Sequence, residues 1–316
     1  MVDILILIGG FIALIFGADK LVDAASSLAS KMGISHIVIG LTIVAFGTSA
    51  PELVVNLFAS INGNLEIVLG NILGSNIFNT LGILGIVSII YPLSVKTNTT
   101  WLEIPLCLLA AITIIIIASD VYFDNAILNY ISRADGIMLL LFFTVFLVYT
   151  ISISVNGTIE AKVETKNYSN FQSIFYIILG LMGLIIGGKL IVMSATNIAQ
   201  SFGFSERIIG LTVVSIGTSL PELATSVVAA RKKNVDIAIG NIVGSNIFNI
   251  FFILGISAIV NPFEIKGSAY LDIAMNIMAS LLLFIFIVAD KGRQLGRRKG
   301  IILLMLYVIY LVYLLI

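Results

Sequence analysis

Residues 39–53 read IGLTIVAFGTSAPEL, and residues 209–223 read IGLTVVSIGTSLPEL. The likeness continues without a gap, at an offset of 170 residues, as far as residue 85. Within it lies a second shared motif, which reads GNILGSNIFN from Gly70 and GNIVGSNIFN from Gly240. About half of the aligned positions are identical. The chain therefore contains an internal duplication, and its fold must accommodate two copies of one unit.

The composition indicates a membrane protein. Of the 316 residues, 59% are hydrophobic and only 11% are charged, whereas a soluble domain carries about 25% charged residues. The net charge is zero, which gives no indication of a nucleic-acid partner. The single cysteine, Cys107, excludes an intrachain disulfide framework and a multi-cysteine metal site. The lone His36 lies in a polar turn, where a helix boundary is a better interpretation than a metal ligand.

Hydropathy predicts an all-α integral membrane protein with ten transmembrane helices. A helix needs about 20 mostly apolar residues to cross the bilayer. Ten stretches satisfy this condition: 3–28, 36–61, 66–91, 101–119, 135–154, 172–200, 207–230, 236–261, 268–289 and 300–316. The second and the seventh are interrupted by Gly-Thr-Ser-x-Pro.

Lysine and arginine predict the orientation, because cytoplasmic loops are enriched in both residues. The inner loops collect Lys31, Lys96, Lys162, Lys166, Arg231, Lys232, Lys233, Lys291, Arg293, Arg297, Arg298 and Lys299. The outer loops hold Arg133, Arg207 and Lys266. This bias predicts a multi-pass protein of the cell membrane with both termini outside.

Five spans fall in each copy, so the second copy must enter the membrane from the opposite side. We therefore predict inverted repeats at 1–154 and 172–316, joined by a cytoplasmic linker at 155–171. The turn after the first motif begins at Ile61 and reads INGN, whereas its counterpart begins at Arg231 and reads RKKN, as opposite sides would require. Inverted repeats with interrupted helices are typical of secondary transporters, whose site lies at the repeat interface.

Each interrupted span carries a glutamate directly after its proline, Glu52 and Glu222. A carboxylate at membrane depth costs at least a few kcal/mol unless it is paired or hydrated, so it is functional by default. The alternative is a protonated, hydrogen-bonded glutamic acid between helices. Hydroxyl groups at i−4 and i−3 share the face of each glutamate. They belong to Thr48 and Ser49 in the first copy and to Thr218 and Ser219 in the second.

Further oxygen atoms are expected nearby. Because proline disturbs the helical ladder one turn back, the carbonyl groups near Ala45 and Ser215 are expected to be free to face an ion. In the second motif, two pairs at i and i+4 each share a helical face: Ser75 with Asn79, and Ser245 with Asn249. Such a set lacks thiolate and imidazole, which disfavours zinc, copper or iron. It suits Ca²⁺, and Na⁺ at adjacent subsites, but it leaves the exchange partner open.

The paired GTSxPE and GNxxGSNxxN segments resemble the alpha-repeats of the sodium/calcium exchanger branch of the calcium/cation antiporter superfamily. The resemblance covers essentially the whole chain and implies alternating access with no cofactor. It implies that Ca²⁺ binds Glu52, Glu222 and the carbonyls of Thr48 and Thr218. For Na⁺ it implies both glutamates, the carbonyls of Ala45 and Ser215, and the hydroxyls of Ser49, Ser75, Ser219 and Ser245. Asn79 and Asn249 would flank the centre.

Asn249 bears on the choice within this superfamily. Potassium-dependent relatives carry Asp at the matching position, so the chain resembles potassium-independent exchangers. The family pattern of three Na⁺ for one Ca²⁺ would make transport electrogenic.

Spans one and six, with matched Gly17 and Gly187, are the expected moving pair, and we expect a functional monomer.

Several alternatives remain open from sequence. Proton/calcium exchangers of this fold usually carry GNxxE in each repeat, a motif that is absent here. A potassium-dependent sodium/calcium exchanger is disfavoured by Asn249. A membrane-embedded enzyme is disfavoured because the chain has no HExxH or GxSxG motif. A passive channel also needs lining carboxylates, although broken inverted repeats favour a carrier.

Overall fold

The computed structural model describes residues 2–156, 166–202, 215–267, 269–290 and 292–315. Two predicted features lie partly outside the described residues. These are the centre of the linker, at 157–165, and the start of the seventh span, at 207–214.

Helices account for nearly all of the described chain. The first half contains α1 (Val2–Met32), α2 (His36–Ile39), α3 (Ala45–Thr48), α4 (Ala50–Ile61), α5 (Leu65–Ile77), α6 (Leu84–Ile90), α7 (Ile104–Ile117), α8 (Asp120–Phe123) and α9 (Arg133–Asn156). The second half contains α10 (Asn170–Ser201), α11 (Ser215–Thr218), α12 (Leu220–Arg231), α13 (Val235–Ile247), α14 (Gly255–Val260), α15 (Ala269–Val288) and α16 (Arg297–Leu315). π-Helical segments lie at Gly40–Val44, Phe78–Ile83, Thr99–Glu103 and Phe248–Leu254.

The helices confirm a multi-pass membrane protein. Within the described ranges, seven helices are long and apolar enough to cross a membrane, and the bent pair His36–Thr48 with Ala50–Ile61 makes an eighth. The predicted span 300–316 forms α16, whose first three residues are the basic Arg297, Arg298 and Lys299. The count of ten spans stays a prediction, because the seventh begins outside the described residues.

Two short antiparallel ribbons join distant parts of the chain, which the all-helical prediction did not include. β1 (Leu93–Ser94) pairs with β4 (Gln294–Leu295), and β2 (Tyr130–Ile131) pairs with β3 (Phe263–Glu264). Each strand has only two residues, too few for a period-2 pattern to be read from sequence. The ribbons connect loops of the first half to loops of the second.

Two long helices, α1 and α10, pack tightly against each other. A Cβ atom on Gly17 would lie 2.7 Å from the carbonyl oxygen of Gly180, and one on Gly180 would lie 2.8 Å from the carbonyl oxygen of Gly17. Small residues permit this close approach of helices in lipid. Spans one and six, which the sequence predicts to move, therefore form one packed pair.

The other helices surround a core formed by α5 and α13 with the π-helical segments that follow them. α13 packs against the start of the second span and against α12, and α5 packs against α4 and α15. Both α5 and α13 are largely buried within the protein. Glu52 and Glu222 are held against this core.

Candidate cation site

The proline breaks place both glutamates in the first turn of a new helix. Ser49 has φ −82° and ψ 6°, outside helical geometry, and α4 then begins with Pro51 in its first turn. The first broken span bends by 47° at this point. Ser219, with φ −91° and ψ 9°, precedes α12 in the same way. A helix N-terminus favours a negative charge, so each break provides a suitable position for a carboxylate.

Serine hydroxyl groups connect the two glutamates crosswise. Ser49 Oγ donates to Glu222 Oε1 at 3.1 Å, and Ser219 Oγ donates to Glu52 Oε1 at 3.2 Å. Both glutamates are only 1% exposed. Their Oε2 atoms have no hydrogen-bond partner in the described part of the chain. The structure therefore brings together two buried carboxyl groups, each with one oxygen available to a ligand.

The threonines of the two motifs also bond across the halves. Thr48 Oγ1 donates to Asn241 Oδ1 at 3.0 Å, and Thr218 Oγ1 donates to Asn71 Oδ1 at 3.3 Å. The donors lie 170 residues apart in sequence, and so do the acceptors. This reciprocity is what two copies related by a two-fold rotation produce. Sequence reasoning missed Asn71 and Asn241, although both belong to the repeated GN dipeptide.

The residues predicted from the second motif are also buried. Ser245 Oγ donates to Glu222 Oε1 at 3.4 Å, whereas Ser75 Oγ has no partner within the described ranges. Asn79 and Asn249 are each 1% exposed. Their amide oxygens likewise have no hydrogen-bond partner among the residues described. Ser75, Asn79 and Asn249 thus each have a buried side-chain oxygen that has no hydrogen-bond partner among the described residues.

The Ala45 carbonyl differs from the prediction. It accepts a hydrogen bond from Ser49 N–H at 3.0 Å, so the break does not free it. The reason is that the N–H group that Pro51 lacks would have bonded to the carbonyl four residues earlier, which is that of Gly47 and not that of Ala45. Binding of Na⁺ by this carbonyl stays a prediction.

In the equivalent backbone of the second half, Ser219 N–H donates to the carbonyl of Ile216 at 3.2 Å. Ser215 is the first residue of α11, and its side chain lies outside the described structure.

Matched ion pairs lie at the ends of the core helices. Lys96 pairs with Asp236, and Lys266 pairs with Glu66. In both pairs the lysine and the acid occupy equivalent positions in the two repeats, offset by 170 residues. The hydrogen bond to Glu66 raises the pKa of Lys266, which lies outside the spans. The two-fold relation therefore extends from the buried site to the ends of these helices.

Comparisons with known proteins agree with this arrangement. The sequence profile of the family described as sodium/calcium exchanger protein matches residues 2–152 and 172–316. The chain is 34% identical to the sodium/calcium exchanger MaX1 of Methanosarcina acetivorans, over 98% of each chain. It is 35% identical to the inner membrane protein YrbG of Escherichia coli, over 97% of this chain and 94% of the relative.

A solved structure is similar as well. The sodium-calcium exchanger NCX_Mj, soaked with Na⁺ and Sr²⁺, superposes with a TM-score of 0.84 at 32% identity, over 98% of this chain and 97% of the other. The family consists of transporters, not enzymes, and they transport Na⁺ and Ca²⁺ without a cofactor. The protein is accordingly a cation/Ca²⁺ antiporter. The broken helices, the paired buried glutamates and the profile match over both halves agree, and the chain belongs to the sodium/calcium exchanger family.

Proposed function

We propose that the protein exchanges Na⁺ for Ca²⁺ across the membrane by alternating access at one central site built on Glu52 and Glu222. The observation that carries the proposal is the crosswise bonding of these carboxyl groups by Ser219 and Ser49. It leaves one oxygen of each glutamate without a partner in the described structure. Two carboxylates held together in this way repel each other unless a cation or protons lie between them.

The chemistry of the site favours Ca²⁺ as one substrate. Ca²⁺ takes about six to eight oxygen ligands in a flexible arrangement, and two carboxylates balance its charge. We propose that it binds Glu52 and Glu222 together with the main-chain carbonyls of Thr48 and Thr218. Both threonine side chains are already held by amide groups of the opposite half, which supports a fixed position for these residues.

Na⁺ would compete for the same carboxylates at adjacent subsites. We assign to it the glutamates, the carbonyls of Ala45 and Ser215, and the hydroxyls of Ser49, Ser75, Ser219 and Ser245, with Asn79 and Asn249 flanking the centre. Three Na⁺ exchanged for one Ca²⁺ would move one net charge in each cycle. The hydroxyl of Ser75, which has no hydrogen-bond partner in the described part of the chain, supports a subsite apart from Ca²⁺.

The reciprocal contacts support the predicted topology. We propose ten spans, with inverted repeats at 1–154 and 172–316, a cytoplasmic linker at 155–171 and both termini outside the cell membrane. The paired α1 and α10 would shift together against the core, because glycines join them along one surface. We propose that one chain is the functional unit, since both halves of the site come from the same chain.

Calcium uptake into proteoliposomes tests the function. Vesicles that contain the purified protein are loaded with Na⁺, K⁺ or acidic buffer and placed in radioactive Ca²⁺. Internal Na⁺ alone should drive uptake, and a K⁺-selective ionophore that clamps the voltage should change its rate. Uptake that ignores internal Na⁺ would overturn the proposal.

Two alternatives of the same fold are outcomes of this experiment. A requirement for a proton gradient would indicate proton/calcium exchange. A requirement for K⁺ together with Na⁺ would indicate a potassium-dependent exchanger. The latter has some support, because 130 residues are 32% identical to the sodium/potassium/calcium exchanger 1 of Rattus norvegicus, over 39% of this chain. Asn249 disfavours it.

A further inference from the structure

Four buried asparagines form a hydrogen-bonded group in segments that pack against the glutamate-bearing helices α4 and α12. They are Asn76 and Asn79 from the first repeat and Asn246 and Asn249 from the second, and we call them the asparagine relay. None is more than 2% exposed. Asn249 Nδ2 donates to Asn76 Oδ1 at 2.9 Å, and Asn79 Nδ2 donates to Asn246 Oδ1 at 3.0 Å. Each flanking asparagine of the site is therefore held by an asparagine of the opposite repeat.

The outer members of the relay are anchored in turn. Asn76 Nδ2 donates to the main-chain carbonyl of Asn246 at 3.1 Å. A carbonyl can only accept, so this bond fixes which end of the Asn76 amide is nitrogen and which is oxygen. Asn246 Nδ2 donates to Thr80 Oγ1 at 2.8 Å. The hydroxyl of Thr80 can donate or accept, so this second anchor is less restrictive than the first.

The anchors determine what the inner asparagines present to the site. Because the Oδ1 atoms of Asn76 and Asn246 accept, they hold the amide nitrogens of Asn249 and Asn79 in these hydrogen bonds. Their Oδ1 atoms are then left buried and, among the described residues, without a partner. A buried unpaired acceptor is unfavourable by itself, but a cation or its water can satisfy it. A flipped amide would instead direct a positive N–H dipole at the cation.

We propose that Asn76 and Asn246 are positioning residues that force the amides of Asn249 and Asn79 to direct oxygen, not nitrogen, toward the transported ions. This inference rests on the proposed function, because it assumes that cations occupy the central site. Asn76 is expected to contribute more than Asn246, since its anchor is a carbonyl.

The test uses the difference between an amide and a carboxylate. A carboxylate has two equivalent oxygens, so its orientation need not be controlled. Four full-length proteins are compared: wild type, Asn76→Ala, Asn249→Asp and the double variant. Ca²⁺ binding is measured by isothermal titration calorimetry of the purified protein without Na⁺, and Na⁺-driven Ca²⁺ uptake is measured in parallel. Asn276→Ala, which removes another buried asparagine outside the relay, is the matched control.

The expected result is a loss of about tenfold in Ca²⁺ affinity for Asn76→Ala alone, because the Asn249 amide is then free to turn its nitrogen toward the ion. In the protein that also carries Asn249→Asp, Asn76→Ala should lower Ca²⁺ affinity by less than about twofold. The control Asn276→Ala should leave Ca²⁺ affinity unchanged. An equal loss in both backgrounds, or no loss in either, would overturn the proposal. If Asn76→Ala fails to fold, Asn76→Leu replaces it, because leucine has a similar volume and no hydrogen-bonding group.

Binding and transport separate this inference from the proposed function. If Ca²⁺ binds as predicted across the four proteins but internal Na⁺ drives no uptake, the relay stands and the exchange reaction is wrong. If Na⁺ drives uptake but Asn76→Ala lowers Ca²⁺ affinity equally with and without Asn249→Asp, the exchange reaction stands and the relay is wrong. If Ca²⁺ does not bind to the wild-type protein, both are wrong.

Discussion

The two halves of the molecule carry the same motifs but support their glutamates differently. In the first half, the main-chain carbonyl of Glu52 accepts from Asn56 on the same helix, at 2.7 Å. In the second half, the carbonyl of Glu222 accepts from Asn241 on the next helix, at 3.4 Å, and Asn241 also donates to Ser226 at 3.1 Å. The repeated motifs therefore place the two acids alike, while Asn56 and Ser226, which differ between the repeats, change which side chain bonds each glutamate carbonyl.

The difference has a functional implication. A site that must bind either one divalent ion or several monovalent ions needs subsites that are not identical. Such a difference exists at equivalent positions: the hydroxyl of Ser245 donates to Glu222, whereas that of Ser75 has no hydrogen-bond partner among the described residues. Substitutions made in pairs, one in each half, can separate the shared features from the unequal ones.

The largest effect should be equal in the two halves. Glu52→Gln and Glu222→Gln each remove one of the two negative charges that we propose to balance Ca²⁺. We expect each to reduce Na⁺-driven Ca²⁺ uptake at least about 100-fold, or roughly 3 kcal/mol of lost binding. Proteoliposome uptake measures it, with protein folding checked by size-exclusion chromatography. Substantial uptake by one variant would show that the site uses a single glutamate.

The next effect is a loss of folding stability, which should be larger for Asn241→Ala than for Asn71→Ala. Asn241 makes three hydrogen bonds, to Thr48, Ser226 and the Glu222 carbonyl. At about 0.5–1.5 kcal/mol for each of the three bonds, Asn241→Ala should lower the free energy of unfolding by about 1.5–4.5 kcal/mol. Asn71 accepts from Thr218, and its Nδ2 is unpaired in the described structure. Asn71→Ala should therefore cost about 1 kcal/mol.

Denaturant-induced unfolding of the purified protein measures this pair of variants. The two asparagines occupy equivalent positions in the repeated motif, so each serves as the control for the other. Equal losses of stability would show that the extra bonds of Asn241 contribute nothing.

A smaller effect should separate the ions. Ser75→Ala removes a hydroxyl that has no partner within the described ranges. It should raise the Na⁺ concentration for half-maximal exchange by about three- to tenfold, with Ca²⁺ affinity nearly unchanged. Ser245→Ala removes a donor to Glu222, which both ions are proposed to use, so it should weaken both alike. Titration of internal Na⁺ and external Ca²⁺ distinguishes the two patterns. If Ser75→Ala weakened both ions and Ser245→Ala weakened Na⁺ alone, the result would contradict the proposed subsites.

The smallest effect concerns the matched ion pairs. The side chains of Lys96 and Asp236 are 34% and 20% exposed, whereas those of Lys266 and Glu66 are 65% and 74% exposed. Because solvent screens the second pair more strongly, Lys96→Ala should cost about 0.5–1 kcal/mol and Lys266→Ala should have no detectable effect. Thermal unfolding at low and high salt tests this. A larger shift for Lys266→Ala would contradict the exposure argument.

Much of the fold could be predicted from sequence. Hydropathy is a strong local signal in lipid, because each span must satisfy its own backbone hydrogen bonds. It identified the membrane-spanning helices. It did not predict the short β-ribbons, because strands of two residues carry no periodic pattern. The ten-span count and the termini stay predictions, since residues 203–214 lie outside the described structure.

The site could be predicted in part. The doubled motifs identified Glu52 and Glu222, and the structure brings both into one buried group. The Ala45 carbonyl was expected to be free and is not, because the effect of a proline falls at one particular carbonyl. Asn76 and Asn246 lie inside the quoted motif, yet sequence could not show that each holds an asparagine of the other repeat.

The sequence by itself determined the membrane class, the duplication, the broken helices and the two intramembrane acids. These depend on local hydropathy, on self-similarity and on the backbone chemistry of proline, all of which act within a few residues. Only the tertiary structure decided which hydroxyl contacts which carboxylate and which way each amide faces. Those choices depend on hydrogen bonds between residues about 170 positions apart, such as Ser49 with Glu222, and a hydrogen bond has direction that residue type alone does not specify.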